Sequence, residues 1–172
     1  MDTKNCINGR TVGLMGKRSN FERVERDFYP TPLEAVKPLI PHLENDIWYY
    51  EPCHGEGDLV NHLSYDANCC GYSDIKDGQD ALELTEEDFT FSDYIITNPP
   101  WDRKILHPMI EHFRNFRPTW LLFDADWAHT KQARPYLKYC DKIVSVGRVK
   151  WIPDSKMTGK DNCAWYLFLK DE

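Results

Sequence analysis

Strand-forming segments that alternate with helical segments constrain the fold of this chain more than any other feature. Four runs rich in aromatic and β-branched residues are predicted as strands, namely DIWYYE, NCCGYSD, FSDYIITN and TWLLFDAD. Helical segments separate them, with DLVNHLSY after the first strand and RKILHPMIEHFRNF after the third. This alternation predicts βαβ units, and therefore an α/β fold with a mostly parallel sheet and helices on both faces.

The last part of the chain is predicted to depart from this pattern. TKQARPYLKYC has helical character, whereas DKIVSVGRVKWI and NCAWYLFLK are predicted to be extended. Two extended runs flank PDSKMTGKDN within residues 149–169. They predict an antiparallel hairpin at one edge of the sheet.

The first helix is predicted to begin at Thr31. Thr31, Pro32 and Glu34 form a capping-box pattern with proline at the first helical position, so the Thr31 side chain is expected to cap the helix. Pro38 is expected to kink or shorten the helix, and Pro41 to end it, because proline lacks the amide that continues a helix.

Length and composition indicate one domain, at residues 27–172, after a flexible basic arm at residues 1–26. A chain of 172 residues can bury one sizeable core. It contains no apolar run of about 18 residues and no apolar N-terminal segment before a cleavage site, so we expect no membrane association and a cytoplasmic location. The six cysteines form no C-x-x-C pair, which argues against a zinc ribbon, and no metal is predicted.

The charge distribution is more informative than the formal net charge of −7, which alone argues against nonspecific nucleic-acid binding. Residues 1–26 contain six basic and three acidic side chains, and residues 148–160 contain four basic and one acidic. Either segment could be ordinary solvated surface or contact a phosphate backbone. The basic residues of the second segment are Arg148, Lys150, Lys156 and Lys160.

A ligand crevice is predicted where the first strands end, because ligands of open α/β sheets bind beyond the carboxyl ends of the strands. EPCHGEG follows the first strand, and Gly55 and Gly57 would allow close backbone approach to a ligand, although the pair also suits a simple turn. Asp74 ends the second strand at the offset where an acid meets a ribose hydroxyl, unless it is an ordinary strand-end acid. Glu51 could accept hydrogen bonds from a ligand ammonium or from the loop.

The segment TNPPW, which follows the third predicted strand, carries the most specific chemistry. The lone pair of an exocyclic aromatic amine or an amide is delocalised, so such a nitrogen is a poor nucleophile. The side-chain oxygen of Asn98 and the carbonyl of Pro99, held rigid by Pro100, could accept both N–H groups and favour a reactive geometry. Trp101 could then stack the ring, worth roughly 1–3 kcal/mol. The alternative is a rigid exit turn with a packed tryptophan.

Over residues 27–169 the sequence resembles S-adenosylmethionine-dependent DNA adenine-N6 methyltransferases, in particular the small phage-type enzymes. Asn98, Pro99, Pro100 and Trp101 match the D/N-P-P-Y/F/W motif of that family, and DFYPTP matches its F-x-P-T-P-type segment. The resemblance implies a Rossmann-like class I methyltransferase domain. It also implies base flipping, since a target amine inside a duplex is unreachable.

The resemblance also implies roles for individual cofactor-binding residues. Tyr29 and Thr31 would lie near the methionine carboxylate, and EPCHGEG, with Glu51, Pro52, Gly55 and Gly57, would form the cofactor loop. Asp74 would bind the ribose, and Asp80, for which Asp77 is the alternative, would lie near the adenine of the cofactor.

Larger relatives in that family have a target-recognition domain, for which no segment is evident here. DNA recognition would therefore fall to the basic arm, the basic hairpin or a second subunit, and the oligomeric state, a dimer included, stays open. Cytosine N4, RNA and a protein glutamine amide suit the same chemistry. A non-catalytic binding or decoy protein is the alternative from another class.

Overall fold

The computed structural model describes residues 29–172, so the predicted arm at residues 1–26 lies outside the described residues. Six strands form one sheet, and they are β1 Trp48–Glu51, β2 Asn68–Tyr72, β3 Tyr94–Thr97, β4 Thr119–Asp124, β5 Cys140–Gly147 and β6 Cys163–Phe168. The order across the sheet is β2-β1-β3-β4-β6-β5. The first four strands pair in parallel, and β6 pairs antiparallel with both β4 and β5. The predicted α/β class is confirmed, including the antiparallel C-terminal pair.

The α-helices are mostly short. They are α1 Leu33–Val36, α2 Asp58–Leu63, α3 Arg103–Arg114 and α4 Arg134–Leu137. Short 3-10 turns complete the connections at Ile40–His42, Ile75–Asp77, Ala81–Glu83, Ala125–His129 and Lys131–Ala133.

The central strands explain why the sheet is covered on both faces. All six residues of β6 are buried, as are the first five of β4, so neither strand shows a polar face. Strands of this kind belong inside a sheet that has apolar layers on both sides. Two apolar clusters lie there, one containing Trp120 and Trp165 and the other containing Phe123 and Tyr166.

Helix α3 covers one of these layers, and its sequence accounts for both its start and its orientation. The Asp102 carboxylate accepts a hydrogen bond from the amide of Lys104 at 2.9 Å and caps the helix. Leu106, Ile110 and Phe113 recur at helical spacing and are fully buried. The helix therefore begins at Arg103, with only its cap Asp102 between it and the N-P-P-W segment.

The prediction that Thr31 caps the first helix is wrong. The N-cap position of α1 is Pro32, and no side-chain capping bond forms there among the described residues. The Thr31 hydroxyl instead accepts a hydrogen bond from the side chain of Asn98, 67 residues away. The helix ends before Pro38, as expected, whereas Pro41 lies within a 3-10 turn instead of ending the helix.

The hairpin is present, but its first strand is displaced from the predicted position. It is β5, Cys140–Gly147, that pairs with β6, from Cys140 opposite Phe168 to Gly147 opposite Cys163. Residues 148–162 form the connecting loop, and β6 lies inside the sheet while β5 forms its edge. The fully apolar β6 requires a neighbour on each side, which decides this arrangement.

Candidate active site

A cavity of about 770 Å³ opens at the carboxyl ends of β1 and β3. The chain leaves β1 toward β2 on one side of the sheet and later returns to β3 on the other side, so the strand order reverses there. This is where open α/β sheets bind ligands, and the volume suits a small organic molecule. Of the predicted site residues, the cavity lining includes Tyr29, Thr31, Glu51, Pro52, Gly55, Asp74, Asp80, Asn98 and Pro100.

Glu51 lines this cavity and is almost completely buried, with 1% of its surface exposed. One carboxylate oxygen, Oε1, accepts a hydrogen bond from the Thr97 hydroxyl at 2.6 Å. The other, Oε2, is buried without a hydrogen-bond partner among residues 29–172. Burial raises the pKa of Glu51 well above its ordinary value, Thr97 opposes that rise, and the nearby Asp74 adds to it. A cationic ligand group would satisfy Oε2.

Asp74 organises the loop that follows β1. Its Oδ2 accepts a hydrogen bond from the amide of Gly55 at 2.7 Å, and its Oδ1 accepts one from the amide of Lys76 at 2.9 Å. The carboxylate thus joins the ends of β1 and β2 at the cavity wall. Because a carboxylate can accept about four hydrogen bonds, it retains capacity for a ligand hydroxyl.

The two glycines of the loop adopt the backbone conformation that favours glycine. Gly55 has φ 56° and Gly57 has φ 90°, and Gly57 precedes the first residue of α2. A Cβ on Gly57 would lie 3.1 Å from the ring of His54, which stacks on Tyr72 at 4.0 Å. The loop therefore needs glycine here, although Gly57 does not itself line the cavity in the described part of the chain.

Asn98 lies at the end of β3 with both ends of its carboxamide engaged. Its Nδ2 donates to the Thr31 hydroxyl at 3.1 Å, and its Oδ1 accepts a hydrogen bond from the indole nitrogen of Trp101 at 3.3 Å. The same indole N–H also donates to the carbonyl of Leu122 at 3.1 Å. Oδ1 has two lone pairs, so one remains for a ligand N–H.

The rest of the N-P-P-W segment is fastened to the neighbouring strand. Arg103 donates to the carbonyl of Trp101 at 3.1 Å and pairs with the Asp124 carboxylate at 2.8 Å. Pro99 is buried, and within residues 29–172 the cavity lining contains neither Pro99 nor Trp101. Trp101 is half-buried and meets Trp151 edge to face at 5.5 Å. Hydrogen bonds thus hold the segment, with Asn98 in the cavity lining and the indole of Trp101 beside it. Its rigidity and its catalytic role stay predictions.

The structure distinguishes the two acids that were candidates for the adenine side of the cofactor, Asp80 and Asp77. Asp80 lines the cavity and caps the 3-10 turn Ala81–Glu83 by accepting a hydrogen bond from the amide of Leu82 at 2.9 Å. Asp77 lies within the preceding turn and is not among the lining residues of the described chain. The position favours Asp80 as the acid that meets a ligand.

Acidic side chains dominate the electrostatics of the cavity. Five carboxylates line it, against the two ammonium groups of Lys76 and Lys104, and Lys76 is itself paired with Glu56 at 2.7 Å. This excess favours a ligand that carries positive charge. The five acids are Glu51, Glu56, Asp58, Asp74 and Asp80.

Several lining residues were missed by the sequence reasoning. The first turns of α3 contribute Lys104, Ile105 and Met109, and the segment after β2 contributes Ile75 and Leu82. The position of α3 directly after TNPPW was a usable signal for the first group. Thr97 was missed as the partner of Glu51, although it is the strand residue next to Asn98.

The basic loop at residues 148–162 lies against the same end of the molecule. The amide of Lys150 donates to the Glu34 carboxylate of α1 at 2.9 Å, and Trp151 contacts Trp101. The loop is thus attached to α1 and to the N-P-P-W segment. The basic arm, its proposed counterpart, lies outside the described residues.

Within residues 29–172, no helix is long and apolar enough to cross a membrane. The same residues bring together no group of three or more His, Cys, Asp or Glu side chains that could hold a metal ion.

No protein-family model and no curated protein matches the sequence, but solved structures share its fold. One is a candidate RNA methyltransferase from Pyrococcus horikoshii, with TM-score 0.55, 14% identity and coverage of 84% of this chain and 87% of that one. A second is a dimethyladenosine transferase from Plasmodium falciparum, with TM-score 0.53, 16% identity and coverage of 83% and 63%.

A third similar structure is the E. cuniculi Mtq2–Trm112 complex, named as responsible for methylating the termination factor eRF1. It aligns with TM-score 0.53, 13% identity and coverage of 80% of this chain and 93% of that one. These likenesses establish a Rossmann-like class I methyltransferase fold. Because the named proteins act on different substrates, the fold leaves the substrate of this chain undecided.

Proposed function

We propose that this chain uses S-adenosylmethionine to methylate the exocyclic N6 amine of adenine in DNA. The observation that carries the proposal is the position of Asn98. Its carboxamide lies at the carboxyl end of β3, beside an acidic cavity at the point where the strand order reverses.

The residues of the cavity fit this cofactor. The unpartnered Oε2 of Glu51 and the excess of carboxylates suit the two positive charges of S-adenosylmethionine, on its ammonium and its sulfonium. When bound, the cofactor supplies an electrophilic methyl carbon. Glu51 would hold the ammonium, Asp74 the ribose and Asp80 the adenine side. The main chain of the Gly55–Gly57 loop would approach the cofactor closely. Tyr29 and Thr31, which also line the cavity, would face its carboxylate.

The chain would act on the amine by accepting hydrogen bonds from its two N–H groups. Asn98 Oδ1 would accept a hydrogen bond from one N–H and the carbonyl of Pro99 from the other, which orients the nitrogen lone pair toward the methyl carbon. The nitrogen would take the methyl group as the methyl–sulfur bond breaks and would then release its surplus proton to water, so a strong base is unnecessary. Pro100 restricts the backbone of this acceptor pair. Trp101, half-buried beside Trp151, is the candidate surface on which the flipped base stacks.

Contact with DNA would come from the loop at residues 148–162. Its four cations lie on an otherwise acidic chain, and the loop is attached beside Trp101 through Trp151. Phosphate contacts from these side chains would position the substrate without reading its sequence. Their identities are Arg148, Lys150, Lys156 and Lys160.

The test compares DNA from cells that express the wild type, Asn98→Ala or Asn115→Ala, in a host without its own adenine methylation. Modified nucleosides are quantified by mass spectrometry. Asn115 is the matched control, since its side chain bonds to the carbonyl of Glu111 at the far end of α3. We expect N6-methyladenine with the wild type and with Asn115→Ala, and its loss by orders of magnitude with Asn98→Ala at unchanged cofactor binding.

The other outcomes would overturn parts of the proposal. N4-methylcytosine in place of N6-methyladenine would change the target base. Label from methyl-labelled cofactor in RNA or in protein glutamine would change the substrate class. Soluble protein that binds the cofactor but transfers no methyl group would favour a binding or decoy role. Normal turnover by Asn98→Ala would refute the assigned role of the asparagine.

A further inference from the structure

The hydrogen bonds around Asn98 fix which way its carboxamide points. An indole N–H can only donate, so the Asn98 atom that faces the Trp101 nitrogen at 3.3 Å must be the oxygen. The amide nitrogen then faces Thr31, whose hydroxyl oxygen accepts its hydrogen at 3.1 Å. Two side chains that are distant in sequence thus hold the carboxamide from opposite ends.

Thr31 is well suited to hold a fixed position. It is 7% exposed and lies between Pro30 and Pro32, which restrict the backbone on both sides. The carbonyl of Pro32 accepts a hydrogen bond from the amide of Ala35 at 3.0 Å, which ties this segment to α1. Because the hydroxyl does not cap the helix, its oxygen is available to Asn98.

The contact with Trp101 disfavours a turned amide, but only weakly. The indole N–H is shared between Asn98 Oδ1 and the carbonyl of Leu122, which accepts it at the shorter distance of 3.1 Å. Without Thr31, the carboxamide could turn about its last bond, where the rotational preference is weak. A turned amide would present N–H groups to the incoming amine, and two donors cannot bond to each other.

We propose that Thr31 is a positioning residue for methyl transfer, which holds the Asn98 carboxamide with its oxygen toward the substrate amine. The inference rests on the proposed function. It gives Thr31 a task beyond cofactor contact. A threonine hydroxyl can donate or accept, so it selects the amide nitrogen of Asn98 while its own hydrogen is donated to another acceptor, which in the proposed complex is the cofactor carboxylate. The Thr31 hydroxyl would therefore contact the cofactor and orient Asn98 at the same time.

The kinetic test uses Thr31→Val, which replaces the hydroxyl by a methyl group, and Thr31→Ser, which keeps it. Turnover is measured with cofactor and DNA both saturating. We expect Thr31→Val to reduce kcat by roughly 10- to 100-fold, the effect of a misplaced catalytic group. Thr31→Ser should recover most of that loss. Thr90→Val is the control, because the Thr90 hydroxyl bonds to exposed backbone carbonyls away from the cavity and its loss should leave kcat unchanged.

Two kinetic results would refute the positioning role. If Thr31→Val raised only the KM for the cofactor and kept kcat, the hydroxyl would serve the cofactor alone. If Thr31→Ser lost as much kcat as Thr31→Val, the methyl group of threonine would matter instead of the hydroxyl.

A second measurement does not depend on turnover. The side-chain amide signals of Asn98 in a proton–nitrogen correlation spectrum are identified by their absence in Asn98→Ala. We expect Thr31→Val to move one of the two amide proton signals toward its solvent-exposed position and Thr31→Ser to leave it in place. Unchanged signals in Thr31→Val would refute the contact. A wild type that methylates no substrate, with the signal shift present, would instead refute the proposed function and leave the contact established.

Discussion

Replacing Glu51 with glutamine is expected to weaken cofactor binding while stabilising the free protein at neutral pH. The amide can keep the hydrogen bond from Thr97 through its oxygen but cannot offer a charged acceptor at the position of Oε2. The variant would therefore lose one charge-assisted hydrogen bond to the cofactor ammonium, about 1.5–3 kcal/mol. That loss corresponds to a Kd higher by about 10- to 150-fold.

The effect on stability has the opposite sign. Burial raises the pKa of Glu51 in the folded protein above its ordinary value near 4.5, so the folded state binds the proton more tightly than the unfolded chain. The contribution of this bound proton to the free energy of unfolding is complete at pH values below about 4.5, the ordinary pKa. It is lost as pH rises through the raised pKa of the folded protein. Glutamine does not ionise, so Glu51→Gln should unfold at a higher temperature than the wild type, and the difference should grow with pH over that window.

Calorimetric titration with S-adenosylmethionine and thermal unfolding, from about pH 5 to about pH 8, measure both effects. Binding to the wild type should weaken as pH falls, because the protonated carboxyl cannot pair with an ammonium, whereas binding to Glu51→Gln should lack that dependence. Glu86→Gln is the control, since Glu86 is exposed, does not line the cavity of the described residues, and forms a surface pair with Arg117 that contributes little. Equal Kd values and equal pH profiles for wild type and Glu51→Gln would refute the role of Oε2.

Gly57→Ala should lower the free energy of unfolding by about 1–3 kcal/mol in denaturant titrations, because φ is 90° and the new Cβ would meet the His54 ring at 3.1 Å; an unchanged midpoint would contradict this. Alanine in place of three loop cations should weaken DNA binding equally for all sequences and reduce its salt slope by up to about 3. Alanine at three cations elsewhere should change neither, and equal effects of both sets would argue for general charge alone. The loop set is Arg148, Lys156 and Lys160, and the control set is Lys138, Lys142 and Lys170.

The strands and the polar residues that end them could be predicted from the sequence, because both depend on local patterns. The aromatic and β-branched runs before Glu51, Asp74 and Asn98 predict strands, and the carboxyl ends of parallel strands share one edge of a sheet. Convergence of these side chains on one cavity follows from that geometry, and the structure places all three in the lining. Their individual roles remain proposals.

Contacts between distant segments could not be predicted in the same way. The pattern T-P-x-E is typical of a helix cap, yet the Thr31 hydroxyl bonds to Asn98, because tertiary packing brings the end of β3 to the segment before α1. The pairing of β6 with β5 was misplaced for a related reason. An extended run in the sequence does not specify which strand it pairs with or in which register. The burial of β6 between two neighbouring strands decides both.

The sequence by itself determined the α/β class and the edge of the sheet at which Glu51, Asp74 and Asn98 meet, since these depend on periodicity and residue type near one another in the chain. Only the tertiary structure decided that Glu51 keeps an unpartnered oxygen in the cavity, that Trp101 holds Asn98 from one side, and that Thr31 holds it from the other. Hydrogen-bond partners depend on distance and direction between segments, and the folded chain alone sets those.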